Sequence, residues 1–214
     1  MVKLCEATQE VDIASTPEAL SPDDAQQTGS EYRDMREALF NGSTLRNDIE
    51  IFRFEPDELS GFGAGGAVIA SVRILDADGT PLSWIVGGED VSLEMRCTAN
   101  QDLLLPIVGF QFKDRLGQVI FADNTFLAYQ FNAPQVEAGE KIIARFDFRM
   151  PVLPSGDYSV DVALANGSQE SHVQHHWVHD ALIVRVHASS VCFGLFGIPM
   201  KAINIKIEGR SLHE

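Results

Sequence analysis

Cysteine is scarce in this chain. Three residues, Cys5, Cys97 and Cys192, are spread through 214 positions with no CxxC pairing. That spacing implies neither a disulfide framework nor a zinc knuckle. Positive charge is scarce too, with 16 Lys and Arg against 31 Asp and Glu, a formal net charge of −15. The averaged field repels phosphate backbones and anionic lipid headgroups, so nucleic acid is not an expected partner. No apolar run approaches the roughly 20 residues of a membrane helix, and the opening MVKLCEATQE lacks the apolar centre of a signal peptide. The chain therefore reads as cytoplasmic.

The common catalytic and nucleotide-binding motifs are also missing. There is no GxxxxGKS/T loop, no GxSxG elbow and no HExxH helix frame. Gly61-Phe-Gly-Ala-Gly-Gly66 does satisfy GxGxxG. That fingerprint needs a strand before it and a helix after it, so that helix amides can meet a pyrophosphate. Here EPDELS precedes and the β-branched AVIASVRIL follows. A glycine turn is expected rather than a dinucleotide site, and no cofactor or metal is expected.

What the chain does have is ordinary globular composition, 45% hydrophobic and 22% charged. Residues 1–29, with TPEALSPDDAQQTGS, carry no apolar periodicity and read as a solvated linker, which implies a domain ahead of it. Residues 30–48 read as a short helix and connector. Ser30 caps EYRDMREALF, Tyr32, Met35, Arg36 and Leu39 share one side, and Asn41-Gly42 ends it.

From Ile49 to the end the period becomes two. Val91, Leu93, Met95 and Cys97 alternate with polar residues, as do Ile142, Ala144, Phe146 and Phe148, and then Tyr158, Val160, Val162 and Leu164. Cys97 on such a face is expected in the core. Turn chemistry separates the runs at DADGT (76–80), RLGQ (115–118), LPSGDY (153–158) and ANGS (165–168). Some ten strands at this spacing predict an all-β fold, an antiparallel immunoglobulin-like or jelly-roll sandwich over residues 49–214 with the short helix ahead of it.

One stretch concentrates side-chain chemistry. SHVQHHWVHD, residues 171–180, holds four of the six histidines and one of the two tryptophans. In a regular strand His175, Trp177 and His179 face one way, and His172, Gln174, His176 and Val178 the other. Metal ligation would pair His172 with His176, or His175 with His179, and borrow donors from another strand. Carbohydrate suits the same residue types. A sugar's C–H face stacks on an aromatic ring, and its hydroxyls pair with planar polar side chains. An ordinary sandwich strand capping its core has this pattern as well.

Read in order, the strands resemble the C-terminal domain of Wzt, the ATP-binding subunit of ABC transporters that export O-antigen polysaccharide. AVIASVRILDADG (67–79), VGFQFKDRLGQVIFADNT (108–125), EAGEKIIARFDFRMPVLPSGDYSVDVALANG (137–167), HHWVHDALIVRV (175–186) and FGLFGIP (193–199) carry the resemblance, over about residues 65–207. It implies a non-catalytic β-sandwich that recognises the exported O-antigen polysaccharide. It also implies a nucleotide-binding domain joined through the acidic linker and a place at the inner face of the inner membrane with a membrane-embedded transporter subunit. A homodimer follows from paired ATPase subunits, with terminal strands such as Pro199 to Ile207 exchanged between protomers. Lys113, Asp114, Arg115 and Gly117 read as a structural hairpin, with an Asp–Arg contact fixing the turn.

Glycan specificity is then expected on outward strand positions and turn rims. The candidate carbohydrate-binding residues are Trp84, Gln111, Tyr129, Arg145, His175 and Trp177. Trp84 and Tyr129 follow short turns and could equally belong to the core. Two other readings stay open. One is a glycan hydrolase using carboxylates or a metal held by His172, His175 and His176. The other is a purely structural dimerisation domain.

Overall fold

The computed structural model describes residues 33–53, 61–187, 192 and 194–205. The expected linker (1–29), Ser30 and Tyr32 lie outside the described residues. The rest is an antiparallel β-sandwich, as the two-residue period predicts. Its strands are β1 (Asp48–Arg53), β2 (Gly61–Phe62), β3 (Ala67–Leu75), β4 (Trp84–Val86), β5 (Asp90–Ala99), β6 (Pro106–Asp114), β7 (Val119–Asn124), β8 (Lys141–Arg149), β9 (Gly156–Gly167) and β10 (His172–Val186). Two short helices, α1 (Glu37–Asn41) and α2 (Phe126–Tyr129), complete the elements.

The larger sheet runs β4-β1-β10-β9-β6-β7, with β2 also paired to β10. The smaller runs β3-β5-β8. Between them lies one core, in which Val91, Leu93, Met95 and Cys97 of the small sheet meet Val108, Phe110, Val160, Val162, Leu164 and Leu182 of the large one. Each fully buried aliphatic side chain stabilises by roughly 1.5–3 kcal/mol relative to exposure. Phe110 also makes edge contacts to Phe121 and Phe146 with ring centroids 6.0 and 5.1 Å away. Burial pushes the Cys97 thiol up to about 12, so it is an inert core residue.

The turns follow their sequence chemistry. Asp76 Oδ1 accepts from the amides of Asp78 (3.0 Å) and Thr80 (2.7 Å), and Gly79 sits at φ 80°. In the β6–β7 hairpin, Asp114 Oδ1 accepts from the amides of Leu116 (2.8 Å) and Gln118 (2.9 Å), with Gly117 at φ 81°. This Asx geometry, rather than the expected Asp–Arg contact, fixes the hairpin, because backbone donors lie closer to Asp114 than any long cationic side chain. The Tyr158 hydroxyl donates to the Pro154 carbonyl (2.9 Å) and pins the entry to β9.

Three expectations change. The helix is one turn, Glu37–Asn41, and Phe40 is its buried anchor, with the Arg36 guanidinium 4.9 Å above the ring. Met35 and Leu39 are exposed. So short a helix has no full apolar stripe and is held by its surroundings. Ser92 and Glu94, expected in solvent, are buried, because neighbouring side chains cover them: Arg145 Nη2 lies 2.6 Å from the Ser92 hydroxyl, and Arg96 Nε 2.7 Å from Glu94 Oε1.

The third concerns the strand expected over 199–207. Among its described residues, 199–205, none belongs to a sheet. Its backbone is engaged instead by the segment before α1. The Met35 amide donates to the Met200 carbonyl (2.9 Å), and the Met200 amide to Asp34 Oδ2 (3.0 Å). Hydrogen bonding from Arg36, ahead of the burial that opposes it, holds the Asp34 carboxyl down at about 2.

Candidate functional site

A groove of about 290 Å³ lies on the outer face of the large sheet, over β7, β6, β9 and β10. The strand register builds it. Trp177 pairs with Ala163, Ala163 with Gly109, and Gly109 with Asn124, forming one row across four strands. Gln174, Ala165 and Ile107 form a second row, and Asp161, Gln111 and Ala122 a third. Alternate residues of β6 and β9 fill the core, so these rows face outward. Ala163 and Gly109 in the first row and Ala165 in the second are small, which sinks a floor between Trp177 on one side and Asn124 on the other. A Cβ at Gly109 would come within 2.9 Å of Asn124 Cβ, so the close approach of β7 requires glycine there.

A β-bulge sets which histidine-stretch residues face the groove. The register of β10 on β9 slips between Gln174 and His176, so His175 has no partner across the ladder. Alternation therefore resets: His172, Gln174 and Trp177 line the groove together, although strict alternation separates the first two from the third. The Gln174 amide stabilises the bulge by donating to the carbonyls of Leu164 (2.9 Å) and His176 (2.8 Å). The loop of Gly61–Gly66 folds over the same point, with the Ala64 and Gly65 amides donating to the carbonyls of Gln174 (2.9 Å) and His175 (3.0 Å). Its glycines allow this close approach. A Cβ at Gly63 would lie 2.3 Å from the His175 carbonyl oxygen, and β3 rather than a helix follows.

His175 is consequently 3% exposed, and neither ring nitrogen has a hydrogen-bond partner. Burial lowers its pKa and keeps the ring neutral. The sequence expectation of His175 beside Trp177 on the solvated face is corrected by the bulge. His176 is likewise lowered by burial, and its Nδ1 accepts from the Ile69 amide at 3.0 Å. The paired-histidine metal arrangement is not assembled. Among the described residues no three His, Cys, Asp or Glu side chains are grouped to hold an ion.

At the end of the groove lies a buried polar cluster. Asp161 is 2% exposed, with Lys113 Nζ 2.7 Å from Oδ1, the Asp180 amide 2.9 Å from Oδ1 and His179 Nδ1 2.8 Å from Oδ2. Burial alone would raise this carboxyl. Hydrogen bonds from Lys113, the Asp180 amide and His179 outweigh it and leave the pKa below its ordinary value. Asp180 holds a left-handed φ of 52° at a second register slip.

The ionised Asp161 carboxylate can only accept, so His179 Nδ1 must carry the proton between them. The same Nδ1 lies 3.3 Å from Trp177 Nε1, itself a donor. One protonated nitrogen cannot accept that second hydrogen bond. The shorter, charge-assisted contact to Asp161 prevails, and the Trp177 indole N–H remains available to a ligand. Phe62 pairs with Trp177 across β2 and β10 and is 59% exposed, widening the aromatic edge.

Of the six candidate residues, the structure brings Gln111 and Trp177 together in the groove. Gln111 is half-buried beside Asp161. Trp84 lies on the same outer face but at the far edge, on β4, where it is 53% exposed and stacks on His187 with centroids 5.2 Å apart. Tyr129 ends α2 and is exposed away from the groove lining. Arg145 belongs to the other sheet, bound to Asp147 at 2.8 Å and to Ser92. The sequence reading missed Asp161, Gln174, Phe62 and the small-residue floor. The floor had a signal: Gly109, Ala163 and Ala165 occupy the outward positions of strands whose alternate positions are bulky. Among the described residues no helix is long and apolar enough to cross a membrane.

A protein-family model, the Wzt C-terminal domain, matches residues 58–198. No curated protein matches. Among solved structures, a crystal structure of the C-terminal domain of Wzt superposes with a TM-score of 0.59 at 22% identity, covering 72% of this chain and 93% of that one. At that identity the likeness shows the shared fold, whereas the family match covers well over half of the sequence. The chain belongs to the Wzt C-terminal domain family.

Proposed function

We propose that the groove on the large sheet binds a stretch of O-antigen polysaccharide without cleaving it, and so supplies substrate recognition for ATP-driven export. One observation carries this reading: Trp177 and Gln111 converge over a floor of Gly109, Ala163 and Ala165. A sugar ring needs a flat apolar contact, planar hydrogen-bonding partners and room for its ring against the backbone. The groove supplies all three. The family supports the transport setting, in which residues 1–29 lead from a nucleotide-binding domain. The working unit is a homodimer at the inner face of the inner membrane, beside the membrane-embedded subunit. Two copies of a shallow, weak site gain avidity when one polymer reaches both.

The groove chemistry favours binding over hydrolysis. A glycosidase needs one carboxylic acid with a raised pKa to protonate the leaving oxygen. Asp161 is shifted the opposite way, and its oxygens are occupied by Lys113, Asp180 and His179.

The test is calorimetric titration of the chain and of Trp177→Ala with purified O-polysaccharide of the source strain. We expect saturable binding that Trp177→Ala weakens about tenfold, since an aromatic stack is worth roughly 0.5–1.5 kcal/mol beyond its buried area. Binding that ignores Trp177→Ala, or its complete absence, would reject the groove as the site. Release of reducing ends would reject the non-catalytic reading.

A further inference from the structure

Resting on the reading of the groove as a glycan site, we infer that it holds at least two consecutive saccharide units. One stacks on Trp177, and the next is bound at a second subsite where His172 Nε2 accepts a hydrogen bond from a sugar hydroxyl. The fixed tautomer of His172 and its distance from Trp177 along the sheet carry this. His172 opens β10 directly after the hairpin from β9, opposite Gly167. A Cβ on Gly167, which holds φ 136°, would come within 2.5 Å of the Ser171 carbonyl oxygen, so glycine lets the hairpin close and set His172 at the groove. The Ser168 amide donates to the Ser171 carbonyl (2.9 Å), and the Ser171 amide to the Ser168 hydroxyl (3.1 Å).

His172 Nδ1 lies 3.0 Å from the Ser168 carbonyl oxygen, which can only accept, so Nδ1 carries the proton. In the neutral ring Nε2 is then an acceptor, and among the described residues it has no partner. Both amide N–H bonds of the neighbouring Gln174 are already given to carbonyls, so Gln174 too can offer a ligand only an acceptor. A hydroxyl-bearing unit fits that end. The Trp177 indole N–H is the reverse, a donor that asks for an acceptor. Because of the bulge, His172 and Trp177 stand opposite Gly167 and Ala163 of β9. Four residues of strand separate those two, about 13 Å at a rise of about 3.3 Å per residue. Side chains stand roughly perpendicular to a sheet, so the separation carries up to the ring tips and exceeds one sugar ring.

The experiment is calorimetric titration with purified O-polysaccharide of the source strain, at a temperature where unfolding curves show every chain folded. The full chain is compared with His172→Phe, His172→Gln, Trp177→Ala and the double variant Trp177→Ala, His172→Phe. His172→Phe should weaken binding about fivefold, the loss of one neutral hydrogen bond. His172→Gln, whose side-chain carbonyl can accept in its place, should stay within about twofold of the wild-type chain. Contacts this far apart act independently, so the fold-loss of the double variant should equal the product of the two single losses. If His172→Phe bound normally while Trp177→Ala did not, the second subsite would be overturned and the groove would stand. A loss in His172→Gln as large as in His172→Phe would overturn the acceptor role. A double loss far from the product would put both side chains on one saccharide unit and overturn the two-unit span. Binding that ignores every variant, or no binding at all, would overturn the reading of the groove itself, and the subsite with it.

Discussion

The two outer faces of the sandwich use polar residues in opposite ways. On the small sheet, β5 and β8 carry charges that satisfy one another: Arg145 with Asp147 and Ser92, Arg96 with Glu94, and Arg149 with Asp90 through two contacts of 3.0 Å. On the large sheet, small residues separate the polar groups, and part of their capacity stays unspent in Gln111 and the Trp177 N–H. A polar surface is not a binding surface merely by being polar. A side chain already paired with its neighbour must break that bond before it can serve a ligand, and much of the gain is then lost. Within the groove, Gln174, Gln169 with Asn124, and the Asp161 cluster are paired, whereas Gln111 and the Trp177 N–H are left for a ligand.

The Asp161 cluster gives the largest expected effect. Lys113→Met removes the closest partner of a carboxylate that is 2% exposed. His179 and the Asp180 amide remain, so the cost should be about 3 kcal/mol, at the low end for a broken buried pair. Chemical denaturation should show a lower midpoint with an unchanged slope. The double variant Lys113→Met, Asp161→Asn should recover part of the loss, because the stranded charge is gone. A loss below about 0.5 kcal/mol for the single change would place Asp161 among weak surface pairs and erase the contrast between the faces.

The next effect is a pH dependence from His175. Its folded pKa is lowered by burial, so in the unfolded chain the ring takes up a proton at a higher pH than in the native one. The stability of the neutral buried ring is complete above the ordinary histidine value of about 6.5 and falls as pH drops through it. His176 is shifted the same way and adds to the slope. Urea midpoints between pH 8 and pH 5 should therefore fall less steeply in His175→Leu than in the wild-type chain. Equal slopes would show that His175 is not held in the dry site its two unpartnered nitrogens describe.

The limits of the sequence reading follow from the same features. Strand alternation, turn residues and the core members of β5, β8 and β9 were legible, since each depends on a period of two or on a short-range hydrogen bond. Gln111 was legible as an outward position on β6, and Trp177 as an aromatic on a polar face. The rest failed at irregularities. The bulge at His175 moves His172 and Gln174 onto the face of Trp177, and no local pattern announces an extra residue in one strand of a pair. Arg145 was correctly outward, but which sheet a strand joins depends on pairings between residues far apart in sequence. Asp161 looked like one polar position in YSVDVAL. Its burial arises from Lys113 and His179, contributed by two other strands.

The smallest expected effect is the control that sharpens the comparison. Arg145→Ala deletes a guanidinium whose side chain is 41% exposed and whose partner Asp147 is 69% exposed. Water already screens such a pair, and exposed ion pairs contribute about 0.2–1 kcal/mol. Ser92 and Asp147 remain hydrogen-bonded to each other after the change, so stability should fall by no more than about 0.5 kcal/mol. Glycan affinity should not move, because β8 lies in the opposite layer from the groove. Calorimetric titration of Arg145→Ala beside Trp177→Ala tests both faces in one experiment. If Arg145→Ala weakened binding as much as Trp177→Ala did, the self-paired face would be the one reading the ligand. Polar groups that look spent would then be exchanging their partners for sugar.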